Sequence, residues 1–267
     1  MKKSISQWLL GLVLVIYPLV CLLAVFILAQ NPLRSSTDES DYNDELTSNT
    51  LLPDFSAINQ APERKQLFLE TLRPLVEQKN LLLQSTRDRL LEIKSEYAGN
   101  QQLNASDTEQ LNRMREDYKV DRQQFPDDGK AIDILLLRVD VIPASMVLAQ
   151  AAIESGWGTS RFAEEANNLF GQWCYTPGCG IVPARRAASA KHEVRKFDSV
   201  EDALNSYYRN INTHNAYRAL RDLRAKIRHD ESTFTGSALI AGLSKYCGRG
   251  PIYISELRAL IRSNNLE

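Results

Sequence analysis

The chain has 267 residues, of which 43% are hydrophobic, so it is long enough for one good core and additional segments. Its net charge of −1 argues against a nucleic-acid-binding protein, which usually carries a basic surplus or a basic stripe. Three histidines and four cysteines, without paired CxxC spacings, argue against a zinc module. We therefore predict neither a nucleic-acid partner nor a metal site.

The N-terminal segment, residues 1–34, has the pattern of a membrane anchor. Lys2 and Lys3 precede an apolar stretch of 22 residues, 8–29. At a rise of about 1.5 Å per residue this stretch spans a hydrocarbon core of about 30 Å. A cleaved signal peptide has a shorter apolar region and ends in a small-x-small site, which Ile27-Leu28-Ala29 does not provide. An uncleaved transmembrane helix is the favoured interpretation.

The flanking charges predict the orientation of that helix. Lys2 and Lys3 lie before it, and Arg34 is followed by acidic residues, so the positive-inside rule places the N-terminus in the cytoplasm. The expectation is a single-pass protein of the inner membrane whose body lies outside the cytoplasm. Residues 35–61 are polar and read as a flexible linker.

Residues 62–130 are predicted to form a helical extension. Leucines and other apolar residues recur near a 3.6-residue period from 62 to about Tyr97. A second helix is predicted to begin at Ser106, where Ser106 to Glu109 has capping-box spacing, and to run to about Tyr118.

Residues 131–267 are predicted to be mainly α-helical with one small β lobe. Pro143 stands in the first turn of an apolar helix that Gly156 and Gly158 end. Residues 172–197 are rich in glycine and proline and read as a hairpin or lobe. Further helices are expected near residues 132–139, 199–212, 216–229, 235–243 and 253–263.

Glu154 is the strongest candidate for a catalytic residue in this domain. It lies at the C-terminal end of an apolar helix, beside Trp157 and two glycines. An apolar site raises the pKa of a carboxyl, and the negative end of the helix dipole acts in the same direction. A carboxylic acid that keeps its proton near neutral pH can protonate a leaving oxygen. A solvated surface glutamate is the alternative.

The sequence around Glu154 resembles that of the bacterial glucosaminidase domain, the family of autolysin and flagellar muramidase-like glucosaminidases. The matching segments are Ala149-Gln150-Ala151-Ala152-Ile153-Glu154-Ser155-Gly156-Trp157-Gly158 and Asn167-Asn168-Leu169-Phe170-Gly171. His214 to Tyr217, Leu243 to Tyr246 and Tyr253 resemble later motifs. The stretch 62–264 as a whole resembles the Bax-like members of this group.

The resemblance implies a lysozyme-like α domain with a substrate groove and a small β lobe. Glu154 takes the position of the general acid, and Tyr217 that of an active-site tyrosine that orients water or stabilises positive charge at C1. The resemblance implies no organic or metal cofactor. The predicted substrate-binding residues are Gln150, Trp157, Asn168, Phe170 and Tyr253.

The sequence leaves more than one candidate for the second catalytic group. Glu193 is the carboxylate between Glu165 and Asp198 in the lobe, and it is a candidate for this role. An exposed strand residue paired with Lys191 or Arg195 is an equal alternative. Without a second carboxylate, the substrate's own acetamido group would attack C1.

Cys174 and Cys179 enclose Pro177-Gly178, a spacing that suits a disulfide across a turn in an oxidising compartment.

These features predict a peptidoglycan hydrolase, an endo-β-N-acetylglucosaminidase whose partners are peptidoglycan glycan strands and, through its N-terminal helix, the membrane. Two alternatives stay open. A lytic transglycosylase uses one glutamate on the same scaffold, although it usually carries a Gly-Leu-Met-Gln-like segment where this chain has Asn168-Leu169-Phe170-Gly171. The other is a peptidoglycan-binding envelope protein without catalytic activity.

Overall fold

The computed structural model describes residues 45–47, 49–184, 186, 189–246 and 248–267. The predicted transmembrane segment lies outside these residues. Among the helices of the described residues, none combines the length and apolar character that crossing a bilayer requires.

The described chain is mainly helical, as the sequence predicts. Its helices are α1 (Ala61–Asn100), α2 (Ala105–Asp117), α3 (Asp128–Arg138), α4 (Ala144–Ser155), α5 (Arg161–Ala166), α6 (Val200–Thr213), α7 (Arg218–His229), α8 (Gly236–Leu239) and α9 (Pro251–Ser263). Short 3-10 turns lie at Phe55–Ala57, Asn215–Tyr217 and Ile240–Leu243. The strands are β1 (Trp173–Cys174), β2 (Gly180–Ile181) and β3 (Glu193–Arg195).

Helix α1 buries one apolar stripe, which includes Phe68, Leu83 and Leu90, against α3 and α4. Helix α2 begins at Ala105, one residue before the predicted start. Its N-cap is Asn104, whose side chain accepts a hydrogen bond from the Asp107 backbone N–H. The predicted cap at Ser106 is therefore wrong, because the asparagine two residues earlier satisfies a free N–H group of the first turn.

Helix α4 is surrounded by other helices and is buried along most of its length. It packs against α1, α8 and α9, which explains why its apolar residues do not follow a single stripe. Gly156 ends it in the left-handed conformation, with φ of 59°, as predicted. Trp157 and Gly158 continue this turn with φ of 59° and 81°. The chain thereby reverses direction one residue after Ser155.

The lobe predicted at 172–197 contains a small antiparallel sheet with strand order β1-β3-β2. Trp173 pairs with Val194, and Ile181 pairs with the same residue from the other side. Gly180 in β2 lies so close to β3 that an added Cβ would be 2.0 Å from the Val194 carbonyl oxygen. Only glycine, which has no Cβ, fits at this position next to β3.

The segment before α1 packs on the helical body. Leu46 and Phe55 are buried, with 3% and 1% of their surface exposed. Asn205 on α6 accepts a hydrogen bond from the Leu46 N–H and donates one to the Leu46 carbonyl, both at 3.0 Å. Where the structure describes it, from residue 45, this segment is docked through two apolar side chains within a polar stretch. Residues 35–44 of the linker predicted at 35–61 lie outside the described residues.

Replacing Asn205 with alanine should release this segment. The change leaves the N–H and carbonyl of Leu46 without their partners, so we expect the free energy of unfolding to fall by about 1–3 kcal/mol. Urea denaturation measures this loss. Arg209→Ala is the control, since its contact with Glu45 is an exposed ion pair and should contribute about 0–1 kcal/mol. Equal losses in the two variants would show that the two hydrogen bonds between Asn205 and Leu46 do not hold the segment in place.

A buried charge cluster joins α1, α7 and the turn before α4. Asp140 is 2% exposed and accepts hydrogen bonds from Arg228 at 2.8 and 2.5 Å. Arg87 and Arg224 approach the same carboxylate at 3.4 and 3.5 Å. Burial lowers the pKa of the Arg224 guanidinium to about 10, which the carboxylate of Asp140 opposes. Three guanidinium groups thus share one carboxylate.

Candidate active site

Glu154 lies in the last turn of α4 and is only partly exposed. Its Oε1 is fully buried, and within the described residues no group donates a hydrogen bond to it. The other oxygen, Oε2, lies beside Gly171, where an added Cβ would be 3.7 Å away. A buried acceptor without a donor disfavours the ionised form.

Burial raises the pKa of the Glu154 carboxyl above its ordinary value. The Tyr253 hydroxyl, as a hydrogen-bond donor, and the nearby positive charge of Arg249 oppose that rise. Glu256 adds to it through like-charge repulsion. Arg249 and Glu256 form a half-exposed ion pair at 2.5 Å, so their two effects on Glu154 partly cancel. Burial is the largest of these effects, and the pKa of Glu154 is raised as a result.

A buried chain of hydrogen bonds lies behind the Glu154 carboxyl. The Tyr207 hydroxyl donates to Gln150 Oε1 at 2.6 Å, and Gln150 Nε2 donates to the Tyr253 hydroxyl at 3.0 Å. All three side chains are nearly inaccessible, with exposures of 1%, 0% and 0%. Gln150 is therefore buried among tyrosines, and its predicted substrate-binding role stays a prediction.

Aromatic rings form one wall around these residues. Tyr246 is stacked on Tyr253 at a centroid distance of 5.6 Å, and Tyr217 lies 6.0 Å from Tyr246. Phe170 is stacked on Tyr207 at 4.1 Å, and its carbonyl accepts a hydrogen bond from the Tyr246 hydroxyl. The structure thus brings the predicted residues Tyr217, Phe170 and Tyr253 together. Tyr246 joins them, although it was predicted only as part of a motif and without a role.

Trp157 and Asn168 have structural contacts of their own. The Trp157 ring packs edge-on against Phe68 of α1 at 5.6 Å, with Lys65 5.0 Å above it. Asn168 is 1% exposed, and its amide bonds the backbone of Gln172 and Arg195. These contacts give both residues a structural role in the framework of the site, and their substrate-binding role stays a prediction.

Glu193 is engaged inside the lobe. Its two oxygens accept hydrogen bonds from the backbone N–H groups of Gly178 and Gly180, at 3.1 and 2.9 Å. These bonds lower the pKa of the Glu193 carboxyl. Cys174 and Cys179 form a disulfide across the same turn. Because metal ligation requires a thiolate, these oxidised sulfurs do not form a metal site with Glu193. The carboxylate therefore braces the turn, an arrangement that favours a structural role over that of a catalytic base.

We expect Glu193→Gln to loosen this turn. A neutral amide offers one acceptor where the carboxylate offers two, so the amides of Gly178 and Gly180 should exchange faster with deuterium at pH 7. Because the folded-state pKa lies below the ordinary 4.5, the carboxylate's contribution is present at neutral pH and is lost as the pH falls through the lowered value. Hydrogen exchange measured by NMR tests this. Unchanged exchange at pH 7 would contradict it.

Two aromatic residues of the described lobe, Trp173 and Tyr175, are exposed, and no prediction singled out either of them. Trp173 is 56% exposed, and its ring is stacked on His192 at 4.0 Å. It follows Gly171, which contacts Glu154, by two residues, so its Cα lies within about 7 Å of the Gly171 Cα. No local sequence signal marks this position, because the stacking partner His192 comes 19 positions later in the chain.

Comparison with known proteins agrees with this geometry. The family described as mannosyl-glycoprotein endo-beta-N-acetylglucosaminidase matches residues 130–266. The chain is also similar to Protein bax of Escherichia coli (strain K12), with 34% identity over 230 residues, which cover 85% of this chain and 80% of that protein. No solved structure matches the chain.

Proposed function

The chain belongs to the mannosyl-glycoprotein endo-beta-N-acetylglucosaminidase family, and from this membership and the site around Glu154 we propose that it cuts the glycan strands of peptidoglycan as an endo-β-N-acetylglucosaminidase. The observation that carries the proposal is the buried Oε1 of Glu154, which the described residues leave without a donor. A buried oxygen without a donor favours the protonated over the ionised carboxyl, and a protonated carboxyl can deliver its proton to a glycosidic oxygen.

The reaction begins with transfer of the Glu154 proton to the glycosidic oxygen as the bond to C1 breaks. The role proposed for Tyr217, which lies in the aromatic wall, is to orient water or to stabilise the positive charge that develops at C1. Phe170, which is stacked on Tyr207 in the same aromatic wall, is proposed to shape the groove that holds the sugar. Hydrolysis ends when water adds to C1 and a proton returns to Glu154.

The engagement of Glu193 favours a reaction with one protein carboxylate. Its oxygens are already bonded to Gly178 and Gly180, so the substrate's acetamido oxygen is the better candidate to attack C1. Water then opens the cyclic intermediate and yields a reducing N-acetylglucosamine end. The same observation is compatible with a lytic transglycosylase, which forms an anhydro product at muramic acid without water.

Digestion of purified sacculi by the full-length chain, followed by mass spectrometry of the soluble fragments, tests the proposal. Fragments that end in reducing N-acetylglucosamine support it. Fragments that end in anhydromuramic acid would assign the transglycosylase reaction instead. Sacculi that bind the chain but release no fragment would assign a binding role and exclude both reactions.

We also propose that the chain is held in the inner membrane by residues 1–34, with the domain on the extracytoplasmic side. The length and flanking charges of the apolar stretch support this. The disulfide between Cys174 and Cys179 supports it independently, since such bonds persist in oxidising compartments. Protease accessibility of the domain in spheroplasts distinguishes the two orientations.

A further inference from the structure

The Trp173 ring in β1 is stacked on His192 and is nevertheless 56% exposed. We propose that Trp173 is a sugar-binding platform, on which one ring of the glycan strand stacks while Glu154 acts on the same strand. This inference rests on the proposed function for the identity of its ligand. It assigns a binding residue in the lobe, outside the aromatic wall.

The backbone from Gly171 to Trp173 connects the acid to the ring. Gly171 is exposed, and a Cβ added to it would be 3.7 Å from Glu154 Oε2. Residues two positions apart have Cα atoms within about 7 Å of each other, so Trp173 begins close to the carboxyl. The aromatic wall reaches this backbone at Phe170, the residue before Gly171. An oligosaccharide that contacts Glu154 is therefore long enough to reach the Trp173 ring as well.

Gln172, between Gly171 and Trp173, fixes this backbone on the helical body. Its Nε2 donates to the Ala203 carbonyl on α6 at 2.9 Å, and its Oε1 accepts from the Ser206 hydroxyl at 2.7 Å. Its backbone N–H and carbonyl both bond the Asn168 amide, each at 2.9 Å. Because these four hydrogen bonds hold the residue before Trp173, little conformational freedom is lost there when a sugar binds.

His192 covers one face of the Trp173 ring. The two rings are nearly parallel, with 17° between their planes and centroids 4.0 Å apart. Arg186 donates to the His192 carbonyl at 3.0 Å, and Trp173 pairs with Val194 in the sheet, so both rings are carried by a braced backbone. With one face covered, the exposed surface of the indole lies on the opposite face and at its edges.

An indole face held in this way suits a sugar ring. The π face of an aromatic ring carries partial negative charge, and the axial C–H bonds of a pyranose carry partial positive charge, so the two stack face to face. The ring also offers a large apolar area whose removal from water stabilises the complex. The glycan strand therefore meets two surfaces of the protein, the groove beside Glu154 and the platform at Trp173.

The experiment measures binding in the absence of cleavage. The full-length chain carrying Glu154→Gln is titrated by calorimetry with a soluble octasaccharide of peptidoglycan that has been freed of its peptide stems. Adding Trp173→Ala should raise the Kd about tenfold, because the sugar loses the indole face. Adding Trp173→Phe instead should keep most of the affinity, because the smaller ring still offers a π face. An unchanged Kd in Trp173→Ala, or no measurable binding with Trp173 in place, would overturn the inference.

Val182→Ala, in the same Glu154→Gln background, is the matched control. Val182 directly follows β2 and is 47% exposed, and β3 separates β2 from the β1 strand that carries Trp173. The change removes exposed apolar surface from the opposite edge of the same small sheet and should leave the Kd unchanged. An equal rise in Kd in Val182→Ala and Trp173→Ala would attribute the loss to the lobe as a whole and overturn the platform.

The binding measurement separates this inference from the proposed function. A raised Kd in Trp173→Ala, for a chain that releases no fragments from sacculi, would support the platform and remove the proposed hydrolase. An unchanged Kd for a chain that does release them would remove the platform and leave the hydrolase.

The kinetics of an active chain give a second test. Trp173→Ala should raise KM for soluble glycan strands by a factor similar to that in Kd and leave kcat close to the wild-type value. This is the pattern of a contact that is made equally in the bound substrate and in the transition state. A lower kcat with an unchanged KM would contradict the platform role.

Discussion

Glu154→Gln should lower the rate of glycan cleavage by a factor of about 10²–10⁴, the usual contribution of a general acid. Glutamine has the same shape but no proton to give to the glycosidic oxygen. The change also removes the carboxyl whose ionised form is disfavoured by its buried oxygen, so the fold should be at least as stable as before. Release of soluble fragments from labelled sacculi measures the rate, and thermal denaturation measures the stability.

Glu165→Gln is the control for that experiment. Glu165 lies on α5 in an exposed i,i+4 pair with Arg161. It should retain the wild-type rate. If Glu154→Gln also retains that rate, Glu154 is not the general acid; if both variants lose activity together, the loss does not come from the missing proton.

Asp140→Asn should lower the free energy of unfolding by about 3–5 kcal/mol, the cost of removing one partner from a buried ion pair. The variant keeps the shape of the side chain but leaves Arg87, Arg224 and Arg228 around a neutral group. Arg224 is 1% exposed and cannot turn toward solvent. Urea denaturation measures the change.

Asp133→Asn provides a matched comparison. Its partner, Lys94, also joins α1 to α3, but the two side chains are 49% and 64% exposed for lysine and aspartate. The loss should be about 0–1 kcal/mol. A loss at Asp140 as small as that at Asp133 would show that the arginines do not depend on the carboxylate, for example because backbone carbonyls satisfy them.

The parts of the site that local sequence determines were predictable. Apolar residues followed by Gly156 predict a helix that ends beside Glu154, because the left-handed turn after a helix favours glycine. The apolar neighbours of Glu154 likewise predict the direction of its pKa. The β lobe follows from its glycines and prolines, which interrupt helical periodicity.

Contacts between distant residues were not predictable in the same way. Gln150 and Tyr253 are 103 positions apart, and neither a helical period nor a motif spacing indicates that an amide will lie between two tyrosines. For the same reason the sequence does not predict the contact between Trp157 and Phe68, which are 89 positions apart. Asn104 and Ser106 are both suitable helix N-caps, and sequence spacing alone does not show which of them begins α2.

The turn that follows Glu154 has a consequence for how small a working fragment can be. An added Cβ at Gly158 would lie 2.3 Å from the Phe55 ring, so this aromatic residue is seated directly on the backbone that leaves α4. A recombinant piece that starts at residue 130, where the family match begins, would lack Phe55, Phe68 and Arg87. The minimal autonomous unit therefore starts ahead of Phe55, well upstream of the region that defines the family.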